Sequence, residues 1–212
     1  PQELAQRITR GEQYLRDAGV FYRRYGSQDA SERDWPLSAM PVLIDGDEWA
    51  TTSHGLTQRA ELLEQVVADL YGKNELVANG HIPAGLVADN PEWLRPLVGV
   101  KPRSGHFLHF VAFDIGRGPQ GQWWVLGDRT QAPSGAGFAL ENRIATSRIY
   151  SDIFTQSHVN RLAGFFRGFR DPLLGLRAQA GSRVGIPRPG PVAATQYGLP
   201  SMSRCFSFTV LC

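Results

Sequence analysis

Residues 106–137 read HFLHFVAFDIGRGPQGQWWVLGDRTQAPSGAG and carry the clearest structural pattern in the chain. Two runs rich in β-branched, aromatic and aliphatic residues, His106–Ile115 and Gln122–Leu126, flank the glycine-rich segment Gly116–Gly121. This composition predicts two antiparallel strands joined by a hairpin. A loop of small residues, Ala132–Gly137, follows the second strand. We therefore expect the chemistry of this protein where the strands end and the next helix begins.

Helical patterns lie on both sides of the strand pair. Leu4–Asp17 is predicted to be a helix that Gly19 ends. The clearest helix follows Asp47 and extends to about Tyr71, because apolar residues recur there at spacings of three and four. Its apolar stripe consists of Leu56, Ala60, Leu63, Val67 and Leu70. The other expected elements are a strand at Val20–Tyr25, a polar loop at Ser27–Arg33, an extended segment at Trp35–Ile44, short helical turns within Gly80–Val100, and helices at about Phe138–Tyr150 and His158–Leu176.

Composition and charge indicate one soluble globular domain. The chain has 212 residues, 42% hydrophobic and 20% charged, and its 22 basic and 20 acidic residues leave a net charge of +2. This balance does not require a nucleic-acid partner, and no apolar run reaches the roughly 18 residues that a membrane span needs. Two cysteines, Cys205 and Cys212, form no disulfide framework and fit a reducing compartment. We therefore expect a cytoplasmic protein that binds neither nucleic acid nor membrane.

The end of the chain differs in composition from the rest. The last acidic residue is Asp171, and residues 177–212 are rich in glycine, proline, serine and arginine. This composition predicts an irregular tail. Two origins stay open, a disordered native segment or sequence translated out of frame. The chain begins at Pro1 and not at a methionine, so we expect a fragment of a longer protein.

Two aspartates end the predicted strands. Asp114 ends the first and Asp128 ends the second, so antiparallel pairing would bring their surroundings together at one edge of the sheet. Carboxylate oxygens near a phosphate-sized opening suit Mg²⁺, which combines few carboxylates with phosphate and water oxygens. The alternative is that both aspartates cap turns.

The loop after the second strand and two arginines are candidates for anion binding. Backbone N–H groups of Ser134–Gly137 could approach an anion at the start of the next helix, where the helix dipole favours negative charge. Arg129 and Arg143 flank this loop and could clamp a phosphate or a carboxylate. The alternatives are a tight turn with Ser134 as N-cap and arginines that are solvated surface charges.

Other reaction chemistries find little support in the sequence. His106 and His109 would lie on opposite faces of a strand, and the remaining histidines have no partner at a ligand spacing, so zinc is not expected. Ser134 lacks a nucleophile-elbow pattern. The nucleotide P-loop and the dinucleotide fingerprint are both missing.

Several motifs resemble those of the circularly permuted type 2 ATP-grasp proteins of bacteria. The longest is WWVLGDRTQAPSGAG at Trp123–Gly137, followed by ALENR at Ala139–Arg143. Three shorter motifs precede it, YRRYG at Tyr22–Gly26, GLTQRA at Gly55–Ala60 and DLYG at Asp69–Gly72. The resemblance covers about Gln2–Leu176. It predicts that residues 1–176 form the N-terminal part of a circularly permuted ATP-grasp domain and that residues 177–212 form the tail.

The resemblance implies both a fold and a reaction. The fold is mixed α/β (α+β), a partial ATP-grasp fold related to glutathionylspermidine synthetase, with an antiparallel strand pair flanked by helices. The implied cofactors are ATP and Mg²⁺, and the implied substrates are a small-molecule or peptide carboxylate and an amine. ATP would activate the carboxylate as an acyl phosphate, which the amine would attack. By the same resemblance, Asp114 matches the first metal-binding aspartate and Ser134, in a loop with Gly135 and Gly137, matches a hydroxyl position that contacts the acyl substrate.

The sequence departs from the family pattern at the metal site. Relatives carry a Glu-x-Asn metal pair at the end of the second strand, where this chain has Gly127 and Arg129. Either Asp128 takes over the metal with help from neighbouring residues, or this branch has lost ordinary ATP-dependent catalysis. The resulting expected metal set is Asp114, Asp128, Glu141 and Asn142, and the expected catalytic cations are Arg129 and Arg143.

Two main hypotheses follow. In the first, the chain is the N-terminal part of an ATP-dependent carboxylate–amine ligase and supplies metal and substrate-loop residues. Lysines and an adenine pocket would lie beyond Leu176, so the chain alone would lack a complete nucleotide site. In the second, it is a non-catalytic binding or scaffold domain. A third, a phosphate- or peptide-binding module that works without ATP, would use Arg129, Arg143 and the loop at Ser134.

Overall fold

The computed structural model describes residues 2–23, 32–38, 40–130, 135–177, 179 and 181–182. Residues 1–43 and 134–212 belong to one unit, and residues 44–133 belong to a second. In chain order the elements are α1 (Gln2–Asp17), β1 (Phe21–Arg23), β2 (Glu32–Asp34), α2 (Gly46–Leu70), α3 (Glu75–Ala78), α4 (Ala84–Ala88), a 3-10 turn (Arg95–Leu97), β3 (Ala112–Arg117), β4 (Trp123–Arg129), α5 (Ala136–Ile149), α6 (Ser151–Gln156) and α7 (Ala163–Gly175). None of the helices within these ranges is long and apolar enough to cross a membrane.

The first unit is built around α1 and α5. Leu15 of α1 packs with Phe138 and Ala145 of α5, and Val20 completes the cluster, each no more than 6% exposed. Gly19, with a φ of 70°, allows the chain to reverse directly after α1. This reversal brings Val20 onto the helix it follows, where its N–H donates to the Leu15 carbonyl at 2.9 Å.

The packing of α1 on α5 depends on a glycine. A Cβ at Gly11 would collide with the side chain of Ile149 and would lie 2.9 Å from Cδ2 of Leu37. A glycine at this position lets the apolar side chains of α5 approach the backbone of α1.

The second unit is framed by α2 and the antiparallel β3–β4 ribbon. Asp45 is the N-cap of α2, and its carboxylate accepts the Glu48 N–H at 2.8 Å. At the other end of α2, Asp69 accepts two N–H groups from the start of α3, each at 2.9 Å. The ribbon turns at Gly118–Gly121. Among the described residues of this unit, no side chain is fully buried.

The predicted strand pair, its hairpin and the following helix are confirmed. The first strand, however, begins at Ala112 and not at His106. The reason is a tertiary contact, since the carboxylate of Glu64 on α2 accepts the N–H groups of Phe107 and Leu108 at 2.8 Å each. These two donors are bound to a helix side chain and not to a neighbouring strand.

Two other boundaries differ from the expectation. The last helix, expected from His158, begins at Ala163. His158 itself has a left-handed φ of 47°, which is incompatible with a helix at that residue. The expected polar loop at Ser27–Arg33 overlaps β2, which pairs with β1. Most of the tail after residue 177 lies outside the described residues, so its irregularity stays a prediction.

Candidate functional site

The two aspartates of the ribbon face opposite sides of it. In the register of β3 and β4, Asp114 is opposite Gly127, and Asp128 is opposite Phe113. Directly opposed residues share a face, and successive residues alternate between faces. The side of the ribbon that carries Asp128 lies against α2 and is called here the inner face; the side that carries Asp114 is the outer face. The two carboxylates therefore do not converge on one ion.

A β-bulge produces this arrangement. The register shifts between Asp114 and Ile115, which leaves Leu126 as the extra residue of β4. With uninterrupted pairing, Asp128 would lie on the same face as Asp114, because a shift of one residue exchanges the faces. The bulge therefore places Asp128 on the inner face and Arg129 on the outer face.

Asp128 on the inner face is bound by Arg59 of α2. Nε and Nη2 of Arg59 donate to the two carboxylate oxygens at 2.7 and 2.8 Å. A planar guanidinium suits such a two-point contact. The hydrogen bonds from Arg59 lower the pKa of Asp128 below its ordinary value and raise the pKa of Arg59. Asp128 is thus a charged carboxylate that already has a cationic partner.

An open groove with a volume of about 1060 Å³ separates α2 from the inner face. Glu48, which lines the groove, accepts hydrogen bonds from Nη2 of Arg117 and, at 2.9 Å, from Nε1 of Trp123. Arg117 also lies over the Trp123 ring, 5.5 Å from its centroid. The charged lining residues are Asp45, Asp47, Glu48, Glu61 and Arg59. This predominance of carboxylates favours cationic groups over phosphates in the groove.

Asp114 on the outer face is bound by Arg129. Nε and Nη2 of Arg129 lie 2.9 and 2.8 Å from Oδ2 of Asp114. Arg129 is opposite Ala112, so Asp114 and Arg129 are diagonal neighbours on one face. Both side chains are more than half exposed. Gly127, directly opposite Asp114, contributes no side-chain ligand atom.

The glycines predicted to bind substrate lie at the start of α5. Gly135 is the N-cap of α5 and has a left-handed φ of 110°, a conformation that favours glycine. Gly137 is buried in the first turn. Ser134 lies outside the described residues. The substrate-binding role of these three residues stays a prediction.

Glu141 and Asn142 both take part in the packing of the first unit. Glu141 is only 8% exposed and accepts a hydrogen bond from Oη of Tyr14 at 2.7 Å. Oδ1 of Asn142 accepts the indole N–H of Trp35 at 2.8 Å. The Trp35 ring in turn stacks on Phe138, with centroids 4.1 Å apart. Both residues predicted to assist a metal ion therefore hold α5 against its neighbours.

The two arginines predicted to be catalytic also have local partners. Arg143 donates from Nη1 to the Asn160 carbonyl at 3.4 Å and lies over the Phe154 ring, 5.9 Å from its centroid. Arg129 is paired with Asp114. The two arginines belong to different units, and their joint action on a phosphoryl group stays a prediction.

The predicted metal set is divided in the same way between the units. Asp114 and Asp128 belong to the second unit, and Glu141 and Asn142 belong to the first. In the part of the chain that the structure describes, no group of three His, Cys, Asp or Glu side chains is placed to hold an ion. The metal assignment stays a prediction, and the geometry within each unit does not add support to it.

Sequence reasoning missed the partners of these residues. Arg59 did carry a signal, because it lies three residues after Leu56 and four before Leu63, beside the apolar stripe of α2. Tyr14 and Trp35 carried none, since each meets its partner across more than 100 residues of chain.

The profile of the family described as circularly permuted ATP-grasp type 2 matches residues 41–209, well over half of the chain. The chain belongs to this family. The ATP-grasp match begins later and ends later than the expected range Gln2–Leu176, and it runs through most of the segment interpreted from composition as a tail.

Several uncharacterized bacterial proteins are similar to this ATP-grasp chain. One from Synechocystis sp. is 32% identical over 154 residues, which are 73% of this chain and 32% of the relative. One from Mycobacterium tuberculosis is 34% identical over 143 residues, 68% of this chain and 25% of the relative. A further M. tuberculosis protein is 32% identical over 131 residues, 62% of this chain and 15% of the relative. The chain therefore spans a third or less of the length of these relatives.

Proposed function

We propose that this chain is part of an ATP-dependent carboxylate–amine ligase, to which it contributes the β3–β4 ribbon and the loop before α5. The family match over residues 41–209 carries the proposal. The observed order of strand, hairpin, strand and helix supports it. Because the chain spans a third or less of its relatives, the activity is proposed for the longer protein.

The proposed reaction has two steps. A carboxylate oxygen of the substrate attacks the γ-phosphorus of ATP, and the bond between that phosphorus and the ADP oxygen breaks, which gives an acyl phosphate and ADP. The amine nitrogen then attacks the acyl carbon, the phosphate leaves, and the nitrogen loses a proton. The products are an amide, ADP and inorganic phosphate.

Cationic groups near the transferring phosphoryl would stabilise its negative charge. We assign this role to Arg129 and Arg143, and we assign substrate contacts to the loop Ser134–Gly137. The guanidinium of Arg129 contacts Asp114 through Nε and Nη2. Since a guanidinium carries five N–H donors, Arg129 can bind a phosphate while it keeps this pair.

Mg²⁺ is the ion that the family implies, but the described carboxylates do not fit a shared ion. Asp114 and Asp128 lie on opposite faces of the ribbon, and each is paired with an arginine. Glu141 and Asn142 accept hydrogen bonds from Tyr14 and Trp35. No step of the proposal therefore uses an ion held by these four residues.

Hydroxylamine trapping tests carboxylate activation without knowledge of the amine. The longer protein is incubated with ATP, hydroxylamine and a panel of amino acids, peptides and other carboxylates. An acyl phosphate would react to give a hydroxamate, together with one ADP and one phosphate for each hydroxamate. Formation of both in that ratio, dependent on one carboxylate, is the expected result. ADP formation that no carboxylate stimulates would contradict the proposal.

Two arginine variants test the assigned roles. Arg129→Gln and Arg143→Gln are each expected to lower the rate of hydroxamate formation by about 10²–10³, the loss typical for one transition-state donor. Arg103→Gln, an exposed arginine of the second unit, is the control and should keep the wild-type rate. If all three variants keep the wild-type rate, Arg129 and Arg143 take no part in the reaction, and the ligase assignment still stands.

A second candidate is a non-catalytic binding domain that keeps the fold. The observation in its favour is that both strand aspartates are neutralised by arginines and that Gly127 offers no ligand. Isothermal titration calorimetry with ATP distinguishes the candidates. ATP binding without ADP formation across the carboxylate panel would support the binding domain, and carboxylate-dependent turnover would exclude it.

A further inference from the structure

We infer that Arg129 takes the place of a divalent cation beside Asp114, so that the outer face of the ribbon is a guanidinium-filled position and not a metal site. The inference concerns a residue of the proposed ligase but rests on the geometry of the ribbon and of α2. Its test contains no nucleotide, so its outcome is independent of the outcome for the proposed function.

Two positions of β4 face Asp114 on the outer face. The register places residues 127 and 129 on the outer face, the first directly opposite Asp114 and the second diagonal to it. A side chain at either position could join Asp114 in binding an ion. They are occupied by Gly127, which has no side chain, and by Arg129, which has no acceptor.

Arg129 contacts the carboxylate of Asp114 directly. Its Nε and Nη2 atoms lie 2.9 and 2.8 Å from Oδ2 of Asp114. A cation bound to this carboxylate would lie next to the guanidinium charge and would be repelled by it. Among the described residues of the ribbon, Asp114 would also be the cation's sole carboxylate ligand on this face. One carboxylate is few for a Mg²⁺ ion that has no phosphate ligands.

Asp128 is not placed to act as a replacement ligand on the outer face. Its carboxylate lies on the inner face and binds Arg59 through both oxygens. A conformational change that carried Asp128 to the outer face would require loss of the bulge at Leu126 and of the two hydrogen bonds to Arg59.

The position opposite Asp114, occupied by Gly127, is sterically open to a side chain. A Cβ built on Gly127 would lie 3.6 Å from Oδ2 of Asp114, and no other atom of the described residues beyond its chain neighbours lies within 4 Å of it. This distance is an ordinary van der Waals contact. A glutamate at residue 127 would therefore project toward Asp114 without collision. Replacement of both β4 residues should convert this face into a cluster of oxygen ligands.

Binding of Mn²⁺, which prefers the same oxygen ligands as Mg²⁺, tests the inference. Free Mn²⁺ is measured by electron paramagnetic resonance while it is titrated into the full 212-residue chain. The variants are Asp114→Asn alone, Gly127→Glu/Arg129→Asn, and that pair combined with Asp114→Asn. Arg103→Asn is the control for loss of one positive charge, and circular dichroism verifies that each variant is folded.

The expected result is that the wild type and Arg103→Asn show no saturable site that depends on Asp114. Gly127→Glu/Arg129→Asn should bind one Mn²⁺ per chain at least about tenfold more tightly, and Asp114→Asn should remove that gain. One Mn²⁺ bound by the wild type and lost in Asp114→Asn would overturn the inference. A folded double variant with no gain in affinity would also overturn it, because the outer face would then not be a latent ligand site.

Discussion

Arg59 and Asp128 are joined by two hydrogen bonds, although 69 residues separate them in the chain. The contact ties the middle of α2 to the end of β4 and takes up both oxygens of the carboxylate that one of the two sequence-based alternatives expects to take over the metal. Asp114 makes the corresponding contact with Arg129 on the opposite face. Each strand aspartate of this ATP-grasp chain therefore has a cation of its own, supplied by the protein.

The Arg59–Asp128 contact predicts how stability depends on pH. The pKa of Asp128 is lower in the folded protein than in the unfolded chain because of the hydrogen bonds from Arg59. The contact therefore stabilises the fold above about pH 4, and this contribution is lost as the pH falls through the folded-state pKa.

Thermal melts of Asp128→Asn at several pH values measure this effect. The variant should melt below the wild type at pH 6, and the difference should shrink as the pH approaches 3. Glu61→Gln, which changes an exposed carboxylate of α2, is the control. A difference in melting temperature that stays constant between pH 6 and pH 3 would contradict the prediction.

Tyr14→Phe removes the hydroxyl that binds the buried carboxylate of Glu141. The unpartnered buried group should lower the free energy of unfolding by about 1–3 kcal/mol. Urea denaturation followed by circular dichroism measures the loss. Glu141→Gln should cost less, since an amide oxygen can still accept the Tyr14 hydroxyl, and a larger loss for Glu141→Gln than for Tyr14→Phe would argue against the assigned contact.

Asn142→Ala leaves the indole N–H of Trp35 without its acceptor. We expect a loss of about 1–3 kcal/mol in unfolding free energy and a change in tryptophan fluorescence. Asn142→Asp keeps an acceptor and should lose less. If Asn142→Ala is as stable as the wild type, the structural role of this residue is wrong and a ligand role regains support.

Gly11→Ala adds a methyl group where α1 meets α5. Because the added Cβ collides with Ile149 and crowds Leu37, we expect a loss of about 1–3 kcal/mol, the cost of overpacking. Gly55→Ala on α2 is the matched control. Nothing lies within 4 Å of its added Cβ, so the change should stabilise the chain by about 0.5–1 kcal/mol. Chemical denaturation of the two variants should therefore shift in opposite directions.

Glu64→Ala releases the N–H groups of Phe107 and Leu108. The segment before β3 should then open more often, and its cleavage by chymotrypsin should accelerate on the order of tenfold. Mass spectrometry of the fragments locates the cut. Glu61→Gln, on an exposed position of the same helix, should leave the rate unchanged, and an equal rate for Glu64→Ala would show that the carboxylate does not hold this segment.

Much of the fold was predictable from local patterns. The 3.6-residue periodicity of Leu56, Ala60 and Leu63 marks α2, and two β-rich runs around a glycine-rich turn mark the ribbon. These signals survive in the structure because they depend on near neighbours in the chain. The boundaries at His106 and His158 were wrong. The first depends on Glu64 of a distant helix, and His158 has a left-handed φ that no local pattern indicated.

Sequence alone was sufficient for the family and for the order of α1, α2, the two ribbon strands and α5, since motif residues and hydrophobic periods are properties of the chain itself. The face on which each aspartate lies was settled only by tertiary structure. One extra residue at Leu126 shifts the register between β3 and β4, and in a strand with a two-residue period such a shift exchanges the faces. For this reason Asp128 meets Arg59, while Arg129 meets Asp114.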